Sequence, residues 1–383
     1  MLRFDLGITE IDDLFCWGYK RGRMGLGLVK CSGKVVGVFT KNKFKAAPVK
    51  VTMEHIKNGY TEGIIVNSGN ANAFTGKAGI ENAKKMVEIY AKKLGVDEHK
   101  IMVASTGIIG VQLDMDWIRK TFTKVYKKLC NTREAALRFA KAITTTDSFT
   151  KEVVLKKDYT IAGVAKGAGM ICPNMATMLS FLFTDAKLNL QEMQDALKTA
   201  VDNSFNLLTV DNETSTNDMV LLVSTGKRSV NVNEFAEDLT KICLELAKMI
   251  ARDGEGATKL LEVEVKGAKS KNDAFKAAKR IASSLLVKTA VFGCSPNWGR
   301  IIAALGSCDV DVDEDVSISI AGAKKVKLVE RGKALGNERI ARKVMKASKE
   351  LKIIINLHKG NFSGYAIGCD LGYKYVKINS EYN

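Results

Sequence analysis

Residues 166–180, KGAGMICPNMATMLS, combine residue types that could do chemistry. The segment is too polar at its start for a core strand and too apolar at its end for a surface loop. The hydroxyl of Thr177 could attack the carbonyl of Ala176 if that peptide bond were strained, which would move the acyl group from nitrogen to oxygen. Hydrolysis of the ester would leave Thr177 as a new N-terminus, whose α-amine, with a pKa of roughly 7.7 to 8, can act as a base.

The sequence has only three histidines, so the usual general base is scarce. His55 and His99 lie in stretches rich in Lys and Glu, and His358 follows an apolar, strand-like run. A threonine that carries its own base would solve this problem. The alternative for the same segment is a buried strand in which Thr177 is a capping residue, and composition alone favours that alternative.

An N-terminal nucleophile also needs hydrogen-bond donors for an oxyanion, and short turns that expose backbone N–H groups can supply them. Residues 104–110, ASTGIIG, follow an apolar run, so the Gly107 N–H and the Thr106 hydroxyl could both point at a developing oxyanion. The alternative is a helix-start turn capped by Thr106. A second polar segment, residues 67–73, follows the strand-like residues 64–66, and ordinary turn chemistry also explains it.

Other chemistries find little support. The eight cysteines include no CxxC pair, so neither a zinc site nor a redox dithiol is expected, and no cofactor or metal is indicated. Residues 166–169 contain only a GxG, without the third glycine of the dinucleotide fingerprint. Residues 253–259, DGEGATK, resemble the end of a phosphate-binding loop, but a strand-like run follows where a helix must begin.

The net charge of +17 raises the question of nucleic-acid binding. Residues 1–176 carry 29 basic and 16 acidic groups, against 30 and 26 in residues 177–383. This excess is diffuse and lacks any nucleic-acid-binding pattern, so a solvated lysine-rich surface is the favoured interpretation, with an anionic substrate still compatible. No apolar run approaches the roughly 18 residues that span a bilayer. The acidic start, MLRFDLGITEIDD, is unlike a signal peptide, and we expect a cytoplasmic protein.

The elements that must position these residues follow from apolar periodicity. Spacings of three and four predict helices over residues 81–94, 234–251 and 273–287. Short β-branched runs predict strands at residues 35–39, 64–66, 220–223, 261–265 and 316–320. Continuous apolar runs of this kind are typical of strands buried on both faces, so the mixture predicts sheets covered by helices.

The motifs together resemble one known family. They look like the ornithine acetyltransferases, also called the bifunctional glutamate N-acetyltransferases of arginine biosynthesis, and the block KGxGMIxPNMATML is highly specific. The resemblance runs in order through nearly the whole chain: KAAPV (45–49), IIVNSGNANAFTG (64–76), ASTGIIG (104–110), TTDSFTKE (145–152), KGAGMICPNMATMLSFLFTDA (166–186), DGEGATK (253–259), FGCSPNWGRIIAALG (292–306) and GCDLGYKYVKINSEY (368–382).

This resemblance implies a fold and a maturation step. Such enzymes are made as a precursor that cuts itself before the Thr of MATML, here between Ala176 and Thr177. Residues 1–176 would become the α chain and residues 177–383 the β chain, which stay associated, typically as α2β2. The implied fold is α+β, a layered α/β/β/α-type sandwich resembling N-terminal-nucleophile enzymes with a topology distinct to ornithine acetyltransferases.

The resemblance also implies a mechanism. The Thr177 hydroxyl attacks the acetyl group of N2-acetylornithine, Thr106 and Gly107 stabilise the oxyanion, and glutamate then takes the acetyl group from the acyl-enzyme. The substrate-binding residues of similar enzymes map to Thr145, Lys166, Thr177, Glu255 and Asn379. Lys166 would suit an α-carboxylate, and Glu255 an amine. Without the resemblance, Lys166 and Glu255 would be taken for solvated surface charges.

The sequence departs from the family pattern at one point, and three alternative functions remain open. Family members usually carry a Thr or Ser five positions beyond the Asn that matches Asn379, and the sequence ends at Asn383, so that contact is expected to be missing or replaced. A bifunctional form would also make N-acetylglutamate from acetyl-CoA. A self-cleaving amidohydrolase or aminopeptidase would use water as the acceptor. In a nucleic-acid-binding protein, the Thr177 segment would be core.

Overall fold

The computed structural model describes residues 1–172 and 178–381, which form sixteen strands and eleven α-helices. The strands are β1 (Leu2–Arg3), β2 (Phe15–Arg21), β3 (Met24–Phe39), β4 (Tyr60–Asn70), β5 (Ile101–Ile108), β6 (Lys151–Lys156), β7 (Thr160–Lys166), β8 (Leu179–Lys187), β9 (Leu208–Thr209), β10 (Met219–Ser229), β11 (Leu260–Ala268), β12 (Ser317–Ala321), β13 (Lys325–Glu330), β14 (Lys333–Ala334), β15 (Glu350–Asn356) and β16 (Phe362–Cys369). The helices are α1 (Ala47–His55), α2 (Gly76–Leu94), α3 (Met115–Tyr126), α4 (Arg133–Ala142), α5 (Leu190–Asp202), α6 (Val232–Arg252), α7 (Lys271–Ala282), α8 (Leu285–Phe292), α9 (Trp298–Gly306), α10 (Glu338–Ala347) and α11 (Tyr373–Ser380).

The chain divides into two compact units. Unit 1 comprises Met1–Asn206 and Thr214–Leu246, and unit 2 comprises Leu207–Glu213 and Ala247–Asn383. Unit 1 contains a nine-stranded sheet in the order β1-β6-β7-β8-β10-β3-β4-β5, with β2 paired to β3. Unit 2 contains a seven-stranded sheet in the order β14-β13-β12-β15-β11-β16-β9. The predicted α+β class, a mixture of sheets and helices, is confirmed.

Helices cover the sheet of unit 1 because its central strands are apolar on both faces. In β4, Ile64 and Val66 join one buried cluster with Phe139 of α4, whereas Ile65 joins another with Tyr90 of α2. Alternate side chains of a strand point to opposite faces, so the strand reads as a continuous apolar run. α2 ends where Gly95 adopts a left-handed conformation at φ 72°.

The core of unit 2 lies between its sheet and the helices that pack on it. Val263 and Val265 of β11 belong to one buried cluster with Ala278 and Ile281 of α7. Spacings of three and four place the buried residues of α7 on one face, and Ser270 caps its first turn by accepting a hydrogen bond from the Asp273 N–H.

The structure corrects three local expectations. The helix predicted over residues 273–287 is two helices, α7 and α8, because the Ser284 side chain accepts a hydrogen bond from the Val287 N–H and begins a new helix there. The strand predicted at residues 64–66 continues through the polar residues to Asn70, which pair in parallel with β5. Thr106 lies within β5 and caps no helix, since α3 begins after Asp114.

In the described part of the chain, no helix is both long enough and apolar enough to cross a bilayer.

Candidate active site

Lys166 is the last residue of β7, and its ammonium group lies at the centre of a polar cluster in unit 1. Its Nζ donates hydrogen bonds to the hydroxyls of Thr145, at 2.8 Å, and Thr106, at 3.2 Å. Only 8% of the Lys166 side chain is exposed. The interpretation of this lysine as a solvated surface charge is therefore wrong, and two other expected site residues, Thr106 and Thr145, lie within hydrogen-bonding distance of it.

A buried carboxylate, Asp147, holds this cluster together. Its Oδ1 accepts hydrogen bonds from Lys151 Nζ at 2.8 Å and from the Gly167 N–H at 2.7 Å. Its Oδ2 accepts from the Thr145 N–H at 2.9 Å and lies 4.0 Å from Lys166 Nζ. Asp147 therefore fixes the backbone on both sides of the site, at Thr145 and at Gly167.

The charges around Asp147 determine the protonation state of its carboxyl group. Burial alone would raise the pKa of Asp147, but the ammonium groups of Lys166 and Lys151, with the hydrogen bonds from Lys151 and Thr145, hold that pKa well below its usual range. The side chains of Asp147 and Lys151 are fully buried. The ammonium group of Lys166, held by its hydrogen bonds to Thr145 and Thr106, suits an anionic group of a substrate.

Gly107 follows Thr106 at the end of β5 and adopts a φ of 135°, a conformation that favours glycine. A Cβ at this position would lie 2.3 Å from the Gly69 carbonyl carbon and 2.4 Å from the Asn70 nitrogen. Only glycine therefore lets β4 and β5 approach this closely. The amide side chain of Asn217 donates to the Ser105 carbonyl at 2.8 Å and the Ala71 carbonyl at 2.6 Å, which ties this strand end to its neighbour.

Asp218 is a second buried carboxyl group in unit 1. It directly precedes Met219, whose N–H donates to the Met178 carbonyl at 3.0 Å, where β8 and β10 run in parallel. Oδ2 of Asp218 has no hydrogen-bond partner among residues 1–172 and 178–381. Burial raises the pKa of Asp218 well above its usual range, and the Ser215 hydroxyl and the Lys166 charge only partly oppose this shift.

The two residues expected to flank the cleavage point, Ala176 and Thr177, lie outside the described residues.

The remaining expected residues, Glu255 and Asn379, lie together in unit 2. Nδ2 of Asn379 donates to Glu255 Oε2 at 2.7 Å and to the Tyr375 carbonyl at 3.0 Å. Glu255 follows the end of α6, and Asn379 belongs to α11. Gly256, at φ 72°, lets the backbone pass close to Tyr375, because a Cβ there would lie 2.5 Å from its nitrogen.

Sequence reasoning missed Asp147 and Asp218. Asp147 stands inside TTDSFTKE, a segment that the resemblance had singled out, whereas Asp218 ends the run TSTND, which drew no attention. No group of three His, Cys, Asp or Glu side chains in the described ranges is arranged to hold a metal ion.

Comparisons with known proteins match this chain over nearly its whole length. The profile of the ArgJ family matches residues 13–383. The arginine biosynthesis bifunctional protein ArgJ of Archaeoglobus fulgidus is 54% identical over 376 residues, which cover 98% of this chain and 99% of that protein. The glutamate N-acetyltransferase of Methanothermobacter thermautotrophicus is 44% identical over 98% of this chain and 97% of that protein.

A solved structure agrees. The crystal structure of the arginine biosynthesis bifunctional protein ArgJ from Bacillus halodurans matches with a TM-score of 0.51 and 43% identity, over 54% of this chain and 100% of that chain. The resemblance inferred from the motifs is confirmed by these matches, and the chain belongs to the ArgJ family.

Proposed function

We propose that this protein is an acyltransferase of arginine biosynthesis that moves the acetyl group of N2-acetylornithine to glutamate. The names of its relatives, glutamate N-acetyltransferase and arginine biosynthesis bifunctional protein, support this activity. It matures by cutting itself between Ala176 and Thr177, and Thr177 is the nucleophile of both the cleavage and the transfer.

The observation that carries the proposal is the cluster at Lys166. A buried ammonium group stands between two hydroxyls, those of Thr106 and Thr145, at the end of the strand that leads into the segment with the cleavage point. Lys166 binds the substrate carboxylate, and the Asp147 carboxylate keeps the ammonium group in place. Because the Lys166 ammonium group is already in place, it strengthens binding of the substrate before the reaction begins.

The reaction then proceeds in two halves. The α-amine of Thr177 takes the proton of the Thr177 hydroxyl as its oxygen attacks the acetyl carbonyl, and the Thr106 hydroxyl and Gly107 N–H stabilise the oxyanion. Ornithine leaves with a proton on its nitrogen, and an acetyl ester on Thr177 remains. The amine of glutamate attacks this ester, which releases N-acetylglutamate and restores the hydroxyl. In unit 2, Glu255 and Asn379 contribute to substrate binding.

The lengths of the expected chains support the cleavage. Residues 177–383 make up 54% of the sequence, and the chain of the Bacillus halodurans crystal structure is matched along its whole length by 54% of this chain. We propose that the α chain (1–176) and β chain (177–383) remain together as α2β2 in the cytoplasm. Native mass spectrometry would measure the assembly.

The test of the cleavage is a denaturing gel with N-terminal sequencing. Two bands are expected, one of which begins Thr177-Met178-Leu179. Thr177→Ala is expected to give one uncut, inactive chain, and Thr177→Ser, which keeps a hydroxyl, is the matched control that should still be cut. Cleavage at the same bond in Thr177→Ala would contradict the assignment of the nucleophile.

The test of the activity is an assay of the purified protein with acetylornithine and glutamate. Release of acetate at the same rate without glutamate would instead indicate a hydrolase. Glutamate with acetyl-CoA alone is expected to give no N-acetylglutamate, and formation of this product would assign the protein to the bifunctional form.

A further inference from the structure

A basic cavity of about 560 Å³ lies in unit 1, and the proposed transfer reaction does not use it. Its walls come from two of the segments that the sequence analysis singled out, residues 45–49 and 64–76, with short extensions of each. This volume is ordinary for a small-molecule site. Four lysines and two phenylalanines line it: Lys43, Lys45, Lys50, Lys77, Phe44 and Phe74.

The two aromatic rings are unusually exposed. Phe44 is 64% and Phe74 75% exposed, and their ring centroids lie 5.7 Å apart at an interplanar angle of 75°. Phe74 adopts a φ of 56°, which a bulky residue rarely does, because its side chain then crowds the backbone. Strain of this kind persists only where the surroundings enforce it, and it clusters at ligand clamps.

A buried hydrogen-bond network enforces this conformation. The Asn72 side chain, fully buried, donates to the Gly79 carbonyl at 2.9 Å and accepts from the Thr75 hydroxyl at 2.8 Å. The Thr75 carbonyl in turn accepts from Gln112 Nε2 at 2.9 Å. The loop is therefore anchored on both sides of Phe74, and the ring is presented to solvent by a rigid support.

Two helices begin at the rim of the cavity. α1 starts at Ala47 and α2, which has 19 residues, starts at Gly76. Neither Ala46 nor Thr75, the residues before them, caps its helix with a side chain. In α1 the Ala47 N–H already donates to the Asn72 carbonyl at 3.1 Å and Pro48 has no N–H. The start of α2, with the positive end of its helix dipole, therefore adds to the four lysines.

No carboxylate of the described residues neutralises these lysines. In the described part of the chain none of the four forms an ion pair, and no acidic residue lines the cavity. A second cavity of unit 1 shows the contrast. There Arg138 pairs with Glu134 at 3.3 Å and lies over the ring of Trp17, so its charge already has partners within the protein. The first cavity combines two exposed phenylalanine rings with four lysines that form no ion pair within residues 1–172 and 178–381.

We propose that the cavity at Phe44 and Phe74 binds a nucleotide that carries two or more phosphates. The base stacks on the two rings, while the phosphates contact the lysines and the start of α2. The cavity is joined to the strand that carries Thr106, because the Ala71 N–H donates to the Ile108 carbonyl at 2.9 Å and the Gly110 N–H to the Ala73 carbonyl at 2.9 Å. This inference does not rest on the proposed function.

The test is isothermal titration calorimetry of the intact protein with ADP, pyrophosphate and coenzyme A. ADP is expected to bind, and more weakly as salt rises. The double variant Lys50→Ala/Lys77→Ala is expected to weaken ADP about tenfold or more, since it removes two of the four cations. Lys84→Ala/Lys85→Ala, which removes two exposed lysines of the same α2 outside the cavity, is the matched control and should bind as the parent protein does.

The ring contribution is tested separately. Phe74→Ala is expected to weaken ADP at least about fivefold, the loss typical of one stacked base, and to leave pyrophosphate unchanged. Tighter binding of coenzyme A than of ADP would assign the site to the nucleotide end of an acyl carrier, and equal binding would assign it to free nucleotides. Both results support the proposal.

Absence of ADP binding, or binding that neither variant weakens, would overturn the inference. Acetyl transfer from acetylornithine to glutamate is expected to continue in all of these variants. Failure of the nucleotide site is therefore distinguishable from failure of the proposed function.

Discussion

Replacement of Asp147 by Asn tests whether this carboxylate holds the site together. The substitution keeps the shape of the side chain but leaves Lys151, fully buried, and Lys166, 8% exposed, without their shared counter-charge. Removing one partner of a buried ion pair costs about 3 to 5 kcal/mol, because the remaining charge is buried and uncompensated. We expect the free energy of unfolding to fall by about this amount.

The assay is urea denaturation in a Thr177→Ala background, where the protein should remain one chain. The matched control is Asp116→Asn, which breaks an ion pair with Arg119 in which Asp116 is 82% exposed, and it should have little effect. The double variant Asp147→Asn/Lys151→Met should recover part of the loss, since it removes one of the two buried cations that Asp147 faces. A loss for Asp147→Asn no larger than that for Asp116→Asn would refute the reasoning.

The sign of the pH dependence follows from the direction of the shift. The pKa of Asp147 is lower in the folded protein than in the unfolded chain, where it is about 3.9, so its contribution to stability is complete above that value and is lost as the pH falls below it. The difference in stability between the parent protein and Asp147→Asn should therefore shrink in acid. A difference that stays constant from pH 7 to pH 3 would contradict this.

Three further predictions concern single residues. Lys166→Met should raise KM for acetylornithine about tenfold or more with retained folding, as measured by steady-state kinetics and circular dichroism, and an unchanged KM would remove Lys166 from carboxylate binding. Because burial raises the pKa of Asp218, the folded protein binds the proton of this carboxyl group more tightly than the unfolded chain does. Stability therefore declines as the pH rises above about 4. Asp218→Asn should raise the thermal midpoint at pH 8 but not at pH 4. Gly107→Ala should lower the thermal midpoint and the yield of cleaved chains together, since its Cβ would collide with the backbone of Gly69; an unaltered midpoint would count against the close approach of β4 and β5.

The residues of the Lys166 cluster could be named from the sequence, but their burial could not. Thr106, Thr145 and Lys166 belong to specific motifs, whereas the burial of Lys166 depends on Asp147, which β6 and β7 bring next to it. From the sequence alone, a charged residue is predicted to be solvent-exposed unless its partner is known, because a charge is stable inside a protein only when it is paired. Asp218 was missed because no local pattern shows that its carboxyl group is buried or that its Oδ2 has no hydrogen-bond partner within the described ranges.

The helices and strands also divide into those that local sequence determines and those that depend on contacts distant in the sequence. α2 and α6 followed from apolar spacing, because that signal lies within each helix. The split between α7 and α8 was missed because the apolar spacing continues across it, although Ser284 is a typical N-cap residue. The extension of β4 through polar residues to Asn70 depends on its pairing with β5, which no local pattern contains.

The strand order of the nine-stranded sheet has a consequence for the mature protein. Cleavage after Ala176 would assign β1 to β7 to one polypeptide and β8 and β10 to the other. In the sheet, β8 and β10 lie side by side, with β7 hydrogen-bonded on one edge of this pair and β3 on the other. The two strands of the second polypeptide would thus lie between strands of the first. The two chains could separate only if two full rows of main-chain hydrogen bonds broke together, so we expect them to unfold as one cooperative unit despite the cut.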